Sequence, residues 1–405
     1  MCLACQKSMR EGKMKKFFVI FFMICCFGLT CFSGCSCSDL VATGLIYKLN
    51  DDGNTYSLTG LSAYPWEELD ITIPSRFKGK PVTAIKYGAL SGHDEIISIK
   101  IPDSVTTIGE GAFSSCENLE KVELPNSITQ ISARTFKNCI ELTDVTIPSS
   151  VTRIEESAFA GCRKISNLTI PNSVTYIGLD ALEDNIQNFH YTYDSGVSYY
   201  GPSNNPYMVA ASGSGSNIEI REGCQVINSW FFWESRADLV TITFPNTLKE
   251  IGDGAFSYCI NLSSISLPDS LEYLGESAFY RCEKVETIVI PDLIEELFES
   301  TFEECSALKS ITLGSGLKSF YFDSFRYCDA IETVIFKNPD ANWHFNRRMD
   351  LGRDPERNDS MTKITSGALS TPEGSTEIFK RYYNYEPIRN TYYTRLGMVV
   401  VEEVQ

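Results

Sequence analysis

A repeated unit constrains this chain more than any other feature of its sequence. Prolines recur every 23 positions in two runs, one over residues 102–171 and one over residues 245–291. A phenylalanine stands eleven residues, and a cysteine fourteen residues, after most of these prolines. A fixed period of about 20–30 residues with apolar residues in register is typical of a solenoid, in which each unit stacks on its neighbours. The repeated positions are Phe113, Phe136, Phe159, Phe256, Phe279 and Phe302, with Cys116, Cys139, Cys162, Cys259, Cys282 and Cys305.

One repeat can be interpreted from its own residues. Val122 and Leu124 stand two apart, so they point to the same face of a short strand, and Pro125 ends that strand because it lacks an N–H. The position two before each phenylalanine is usually glycine, serine or aspartate, which favours the start of a helix. The sequence therefore predicts an α/β solenoid with a parallel β-sheet on its inner face. Short helical or 3-10 turns are expected on the outer face, with one small β insertion in the array.

The amino terminus has the pattern of an export signal. A basic patch that begins at Met14 precedes an apolar run, which ends shortly before Phe32-Ser33-Gly34-Cys35. A run of this length is short for a membrane span and suits a signal peptide. We predict that residues 1–35 form the signal, with the true start at Met14. The final four residues resemble a bacterial lipobox, which implies acylation of Cys35; an ordinary cleaved signal with incidental cysteines is the alternative.

The rest of the chain divides by its periodicity. Residues 36–60 are predicted to be a tether and a hairpin that covers the end of the solenoid, and residues 61–188 form a first block of repeats. A tyrosine-rich β insertion is expected over residues 189–217. Residues 218–337 form the second block, and residues 338–405 form a carboxy-terminal cap and tail. A separate activity of the tail is a weaker hypothesis.

The consensus L-x-x-I-x-I-P-x-S-V-T-x-I-G-x-x-A-F-x-x-C resembles the BspA-like (Treponema-type) leucine-rich repeats of bacterial surface proteins. Residues 96–183 and 218–336 carry the pattern clearly. The resemblance implies a leucine-rich repeat fold, and it implies cell-surface adhesion or host-protein binding, as in some members of the family.

Charge and cysteine usage exclude several classes of function. The formal net charge of -17 argues against a nucleic-acid partner, which needs a basic footprint. Seven of the eight cysteines in the repeats share one position, so we interpret them as small buried side chains with free thiols. Oxidation after export is the alternative. No Cys-x-x-Cys pair occurs in the repeats and the three histidines are scattered, so we expect no metal, no cofactor and no catalysis.

Two surfaces are candidates for binding. The first is the outward-facing middle position of each strand, where parallel strands about 4.8 Å apart would align a row of side chains. The alternative is a solvated threonine ladder with no ligand. The row comprises Thr72, Lys100, Glu123, Thr146, Thr169, Glu219, Thr243, Ser266 and Thr312.

The second candidate is the tyrosine-rich insertion, because tyrosine rings are common anchors at interfaces. Its alternative is a structural hairpin packed by its own tyrosines. The insertion contributes Tyr191, Tyr193, Tyr199, Tyr200 and Tyr207.

Together these features predict a non-enzymatic, monomeric lipoprotein that is anchored at the bacterial cell surface or outer membrane. It would bind a protein or glycan ligand and contact the membrane only through the lipid. A structural scaffold of the envelope without a soluble ligand is the alternative function.

Overall fold

The computed structural model describes residues 44–62, 68–165, 168–183, 191–321 and 323–337, together with the backbones of two further strands at 343–346 and 361–364. Over these residues the chain winds into a β-solenoid of about twelve turns. Most turns contribute one short strand to each of two parallel ladders, and a line of tight turns completes the coil.

The first ladder contains the strands that lead to the repeat prolines. Its strands pair in parallel with their equivalent residues opposite one another, such as Ile99 with Val122 and Val122 with Val145. These residues are buried, while the residue that follows each of them on its strand or just after it is exposed. The strands are β3 (Leu69–Thr72), β6 (Ile96–Lys100), β8 (Lys121–Glu123), β10 (Asp144–Val145), β16 (Asn217–Glu219), β18 (Thr241–Thr243), β21 (Thr287–Val289), β23 (Ser310–Leu313) and β25 (Thr333–Phe336).

The second ladder follows the proline by about five residues. Ile131, Ile154 and Ile177 lie in register along it and are all buried. Its strands are β2 (Tyr56–Leu61), β5 (Lys80–Ile85), β7 (Thr107–Ile108), β9 (Gln130–Ile131), β11 (Arg153–Ile154), β12 (Tyr176–Ile177), β15 (Val209–Gly213), β17 (Val226–Ile227), β19 (Glu250–Ile251), β20 (Tyr273–Leu274), β22 (Glu296–Leu297), β24 (Ser319–Tyr321) and β26 (Trp343–Asn346).

Antiparallel strands join the second ladder near both of its ends. At the amino-terminal end, β1 (Leu45–Leu49) forms a hairpin with β2, and β4 (Arg76–Phe77) pairs with β5. The Asp52 carboxylate accepts main-chain hydrogen bonds from Asn54 and Thr55 at 2.8 and 3.0 Å, so the Asp-rich segment is a turn. At the other end, β27 (Met361–Ile364) pairs with β26.

The outer side of the coil differs from the prediction. The described repeats contain no helix and no 3-10 segment; consecutive turns take their place. The residue two before each phenylalanine has a positive φ, for example 59° at Gly111, 55° at Arg134 and 53° at Ser157. A helix N-cap has an extended backbone, so the capping interpretation is wrong. A second left-handed residue precedes most repeat cysteines, such as Asn138 at 60°, and two such residues in each turn exclude a continuous right-handed helix.

Hydrogen bonds between successive turns offset the strain of these left-handed residues. Arg134, Phe136 and Asn138 donate their N–H groups to the carbonyls of the next turn, at 2.9, 2.8 and 2.7 Å. Gly111, Phe113 and Ser115 do the same one turn earlier. The turns thus form a third line of main-chain bonding beside the two ladders. This explains why arginine and serine are tolerated where glycine is intrinsically better suited.

Phenylalanine and cysteine fill the core beneath these turns. Phe136 is fully buried and stacks on Phe113 and Phe159, with centroid distances of 5.4 and 5.3 Å. The eight repeat cysteines are free and buried, as predicted. The Cys139 thiol also donates to the Phe113 carbonyl at 3.1 Å, a contact that most other repeats share. Cysteine is therefore a small core residue that also satisfies a buried carbonyl.

The insertion is built into the coil. β13 (Thr192–Asp194), β14 (Val197–Tyr200) and β15 form an antiparallel sheet, and β15 also pairs in parallel with β17. It therefore supplies a strand of the second ladder, and the predicted interruption is instead one modified turn. Tyr176 on β12 reaches across this turn and donates to Glu250 on β19 at 2.6 Å.

Candidate binding surfaces

The predicted row of outward strand residues exists on the first ladder. Thr72, Lys100 and Glu123 stand opposite one another on adjacent strands, and Glu219 stands opposite Thr243. All nine predicted residues are exposed except Thr312, which is partly exposed. We call these nine residues, with Val289 and Ile335, the strand-face row.

Ion pairs occupy the amino-terminal part of the strand-face row. Lys100 contacts Glu123 at 2.7 Å, and the neighbouring Lys121 contacts Asp144 at 3.1 Å. The hydrogen bond from Lys100 lowers the pKa of Glu123, and the hydrogen bond to Asp144 raises the pKa of Lys121. These groups are exposed, so the pairs add little to stability. Their main consequence is that opposite charges balance at this end of the row.

The carboxy-terminal part of the row is apolar. Val289 is 46% exposed and Ile335 is 39% exposed, and Thr312 lies between them in register. The row thus changes from balanced charges, through Thr146 and Thr169, to an exposed aliphatic surface. Such a graded, extended surface suits contact with a macromolecule better than enclosure of a small molecule.

The tyrosine-rich insertion is mostly structural. Tyr199 and Tyr200 are buried, and the two rings belong to different core clusters, one continuous with each block of repeats. Their prediction as ligand contacts is therefore wrong, because successive residues of β14 point to opposite faces and both faces are covered. Tyr191 and Tyr207 are half-buried beside them; Tyr193 is 69% exposed.

A groove lies beside this insertion, with a volume of about 760 Å³. One wall comes from β13–β15, including Tyr193 and Ser212. The turns at residues 180–183 and 228–234 form the rest, and they bring Trp230 and Trp233 to the rim. We call it the insertion groove. It includes two of the predicted tyrosines, Tyr191 and Tyr193, and two tryptophans that were not predicted.

The exposure of Trp230 could have been predicted from its position in the repeat. Trp230 stands at the left-handed turn position, with φ 54°, where other repeats have glycine, serine or another polar residue. A large aromatic residue there has to lie on the surface. Trp230 is 45% exposed and Trp233 is 60% exposed, and their rings meet edge to face at 5.5 Å.

The groove carries negative charge. Asp180, Glu183 and Glu234 line it, and no lysine or arginine is among the described lining residues. The Asp180 carboxylate accepts a hydrogen bond from the Ser229 N–H at 3.0 Å. Burial raises the pKa of Asp180, and Asp253 and Glu156 raise it further. The site therefore offers acceptors and aromatic faces, a combination suited to a cationic group.

Other predicted features are placed as follows. Cys35 lies outside the described residues, as do residues 1–43 as a whole. Among the residues that are described, no group of three or more histidine, cysteine, aspartate or glutamate side chains could hold a metal ion. The same part of the chain contains no helix long and apolar enough to cross a membrane.

Comparison with known protein families identifies the repeats. Six copies of the BspA type leucine-rich repeat region match residues 82–201 and 225–343. None of the curated proteins is a significant match to the chain.

Several solved bacterial structures are similar. A leucine-rich cell surface protein from Faecalibacterium prausnitzii is 25% identical, with a TM-score of 0.33, over 73% of this chain and 93% of that one. The pneumococcal vaccine antigen PcpA is 21% identical, with a TM-score of 0.36, over 72% and 92%. A leucine-rich repeat protein from Bacteroides ovatus is 21% identical, with a TM-score of 0.27, over 74% and 99%.

Proposed function

The chain belongs to the BspA-type leucine-rich repeat family, and on that premise we propose that it is a non-enzymatic binding protein of the bacterial cell surface. Export through the signal at residues 1–35 and acylation of Cys35 would hold it at the membrane, as a monomer. Its ligand would be a protein or a glycan, and its main contact surface the strand-face row.

The observation that carries this proposal is the chemistry of the strand-face row. The row is exposed along both blocks of repeats. Most of its members lie on short, hydrogen-bonded parallel strands whose other face is the core, while Thr146, Thr169 and Ser266 hold the same repeat position outside a strand. A rigid surface loses little conformational freedom when a partner docks, so more of the contact energy appears as affinity. The aliphatic end at Val289 and Ile335 provides the apolar area that interfaces use, and the charged end provides polar contacts at the rim.

A catalytic role has no support from the arrangement of side chains. The Nδ1 atom of His93 lies 2.8 Å from a Glu95 oxygen, which makes a local surface pair. Serines line the insertion groove beside its carboxyl groups, but no histidine is among its described lining residues to serve as the base of a hydrolase. The proposal therefore assigns this protein recognition and no reaction.

A test of binding compares two double variants that carry the same change. Thr146→Arg with Thr169→Arg places two bulky cations in the middle of the strand-face row. Thr152→Arg with Thr175→Arg places them on exposed threonines of the same two turns but beside the second ladder. We expect immobilised matrix proteins or surface polysaccharides to bind the wild-type chain and the second variant, and to bind the first at least about tenfold more weakly, as for a contact worth about 1.4 kcal/mol.

Equal binding by both variants would contradict the strand-face row as the contact surface. Absence of binding by the wild-type chain to every protein and polysaccharide would favour the scaffold of the envelope instead. A deletion of residues 189–217 is unsuitable as a control, because it would remove a ladder strand and two buried tyrosines.

The lipid anchor has its own test. We expect a clickable palmitate analogue to label the wild-type protein in its native bacterium and to leave the Cys35→Ala variant unlabelled. Labelling that persists in this variant would refute acylation at Cys35, and absence of labelling from the wild-type protein would favour an ordinary cleaved signal.

A further inference from the structure

The insertion groove differs from the strand-face row in shape and charge. We propose that it binds a basic side chain, arginine or lysine, presented by a partner protein. This inference rests on the proposed binding function and gives it a second contact site with a defined chemistry. The argument depends on the aromatic rim, on the charge of the lining and on a contact that the protein already makes within itself.

The aromatic rim is held in place from beneath. The six-membered ring of Trp230 lies against Gly254, where an added Cβ atom would stand 2.6 Å from two ring carbons. Gly254 has a φ of 60°, so glycine is favoured there for two reasons. The equivalent positions in later repeats are Ser277 and Ser300, so the fold itself accepts a side chain at this point. Gly254 and Trp230 are thus a matched pair that fixes the ring at the rim.

The lining of the groove specifies the charge of the occupant. The carboxyl groups of Asp180 and Glu234 and the exposed indole faces of Trp230 and Trp233 favour a cation. A neutral sugar could also stack on the tryptophans, but it would leave the partly buried Asp180 carboxylate without an opposite charge. Since burial of an unbalanced carboxylate is costly, a cationic ligand gains more from this site than a neutral one.

Trp233 already binds a guanidinium in this protein. The Arg236 guanidinium carbon lies 3.7 Å from the ring centroid of Trp233, and its Nε donates to the Trp233 carbonyl at 3.0 Å. Arg153 makes the same contact with Tyr176 at 4.0 Å. A partner's arginine in the groove would repeat this stacking with Trp230 and the carboxyl groups as its neighbours. The volume of about 760 Å³ accommodates more than one side chain, which fits a short peptide segment.

The test uses the secreted chain and a short fluorescein-labelled peptide that alternates glycine and arginine. Its counterpart replaces each arginine by citrulline, which keeps the shape and removes the charge. Fluorescence anisotropy at about 0.15 M salt limits long-range attraction to the acidic protein. We expect the arginine peptide to bind and the citrulline peptide to bind at least about tenfold more weakly.

Groove variants and matched controls locate the binding. Trp233→Leu and Glu234→Gln should each weaken binding of the arginine peptide by about fivefold or more, as the loss of a desolvated cation–π contact or of a charge implies. Tyr87→Leu, which also replaces an exposed aromatic residue by leucine, and Glu117→Gln lie outside the groove and should leave binding unchanged. Gly254→Ser should displace Trp230 and weaken binding while the urea midpoint shows that the chain remains folded.

Three results would overturn the inference: equal binding of the arginine and citrulline peptides, equal binding by the groove variants and their controls, or displacement of the arginine peptide by a neutral oligosaccharide such as chitotriose. The two proposals fail separately. If matrix proteins bind the chain in the strand-face experiment and the arginine peptide does not, the cation site is refuted and the proposed function stands.

Discussion

The stack of phenylalanine rings allows a quantitative prediction, because neighbouring members differ in how many rings they contact. Phe136 stacks on a ring to either side, whereas Phe113 stacks on Phe136 alone among the described residues. Leu90 and Leu182 occupy the equivalent position at the edges of the first block and are buried there. Leucine therefore fits the site, and a change of phenylalanine to leucine isolates the loss of ring stacking.

The magnitudes follow from the number of ring pairs. A stacked pair contributes about 0.5–1.5 kcal/mol beyond the area that it buries. Phe136→Leu removes two pairs and Phe113→Leu removes one, while the change in side-chain volume is the same in both. We expect Phe136→Leu to lower the free energy of unfolding by about 0.5–1.5 kcal/mol more than Phe113→Leu does. The double variant loses no pair beyond the two that Phe136→Leu removes. The sum of the two single destabilisations should therefore exceed the destabilisation of the double variant by a similar amount.

Urea unfolding of the purified protein, followed by circular dichroism and compared at matched m-values, measures these differences. Phe136→Ala gives the scale, since a buried phenylalanine changed to alanine costs about 3–5 kcal/mol. If the two leucine variants are equally stable and their effects add, ring stacking makes no separate contribution. The core would then be held by burial of apolar area alone.

Three further outcomes follow from the structure. Ser277→Gly relieves a left-handed residue with φ 55° and should raise the free energy of unfolding by about 0.5–1 kcal/mol, whereas Ser277→Ala should give no gain. Burial raises the pKa of Glu250 above its usual 4.5, so the folded state loses stability as the pH rises above that value. Glu250→Gln should raise the urea midpoint near pH 7, and the midpoint of this variant should fall less between pH 5 and pH 7 than that of the wild type. Burial also raises the pKa of the Cys116 thiol to about 12, so iodoacetamide at pH 8 should label it only in urea; rapid labelling of the native chain would contradict the buried position.

The periodic sequence predicts the coil well because each turn obeys the same local rules. Proline ends a strand, the alternation around Val122 places one side chain inward, and Phe136 and Cys139 recur at fixed distances. Stacking then needs no information beyond the period, and the predicted parallel sheet, which is the first ladder, follows from it. The second ladder was not predicted. The exposure of the strand-face row follows from the same alternation.

The left-handed conformation of the outer turns was not predicted, and the reason is physical. The apolar spacing in a turn such as residues 111–119 is compatible with a short helix as well as with two successive turns. The presence of Gly111 and Gly254 at one repeat position was the available evidence for a left-handed residue. Arginine and serine at the same position obscured this evidence. Their backbone strain is offset by hydrogen bonds between one repeat and the next, and these bonds cannot be inferred from a single repeat.

By itself, the sequence determined that this chain is a leucine-rich repeat solenoid with a phenylalanine and cysteine core, because those properties are set within one repeat and its nearest neighbours. The insertion groove was decided only by the tertiary structure. β15 takes a place in the second ladder, and Asp180 then meets Ser229, although they lie 49 residues apart. Burial of Tyr199 has the same origin, because it depends on which distant turns become the neighbours of β14.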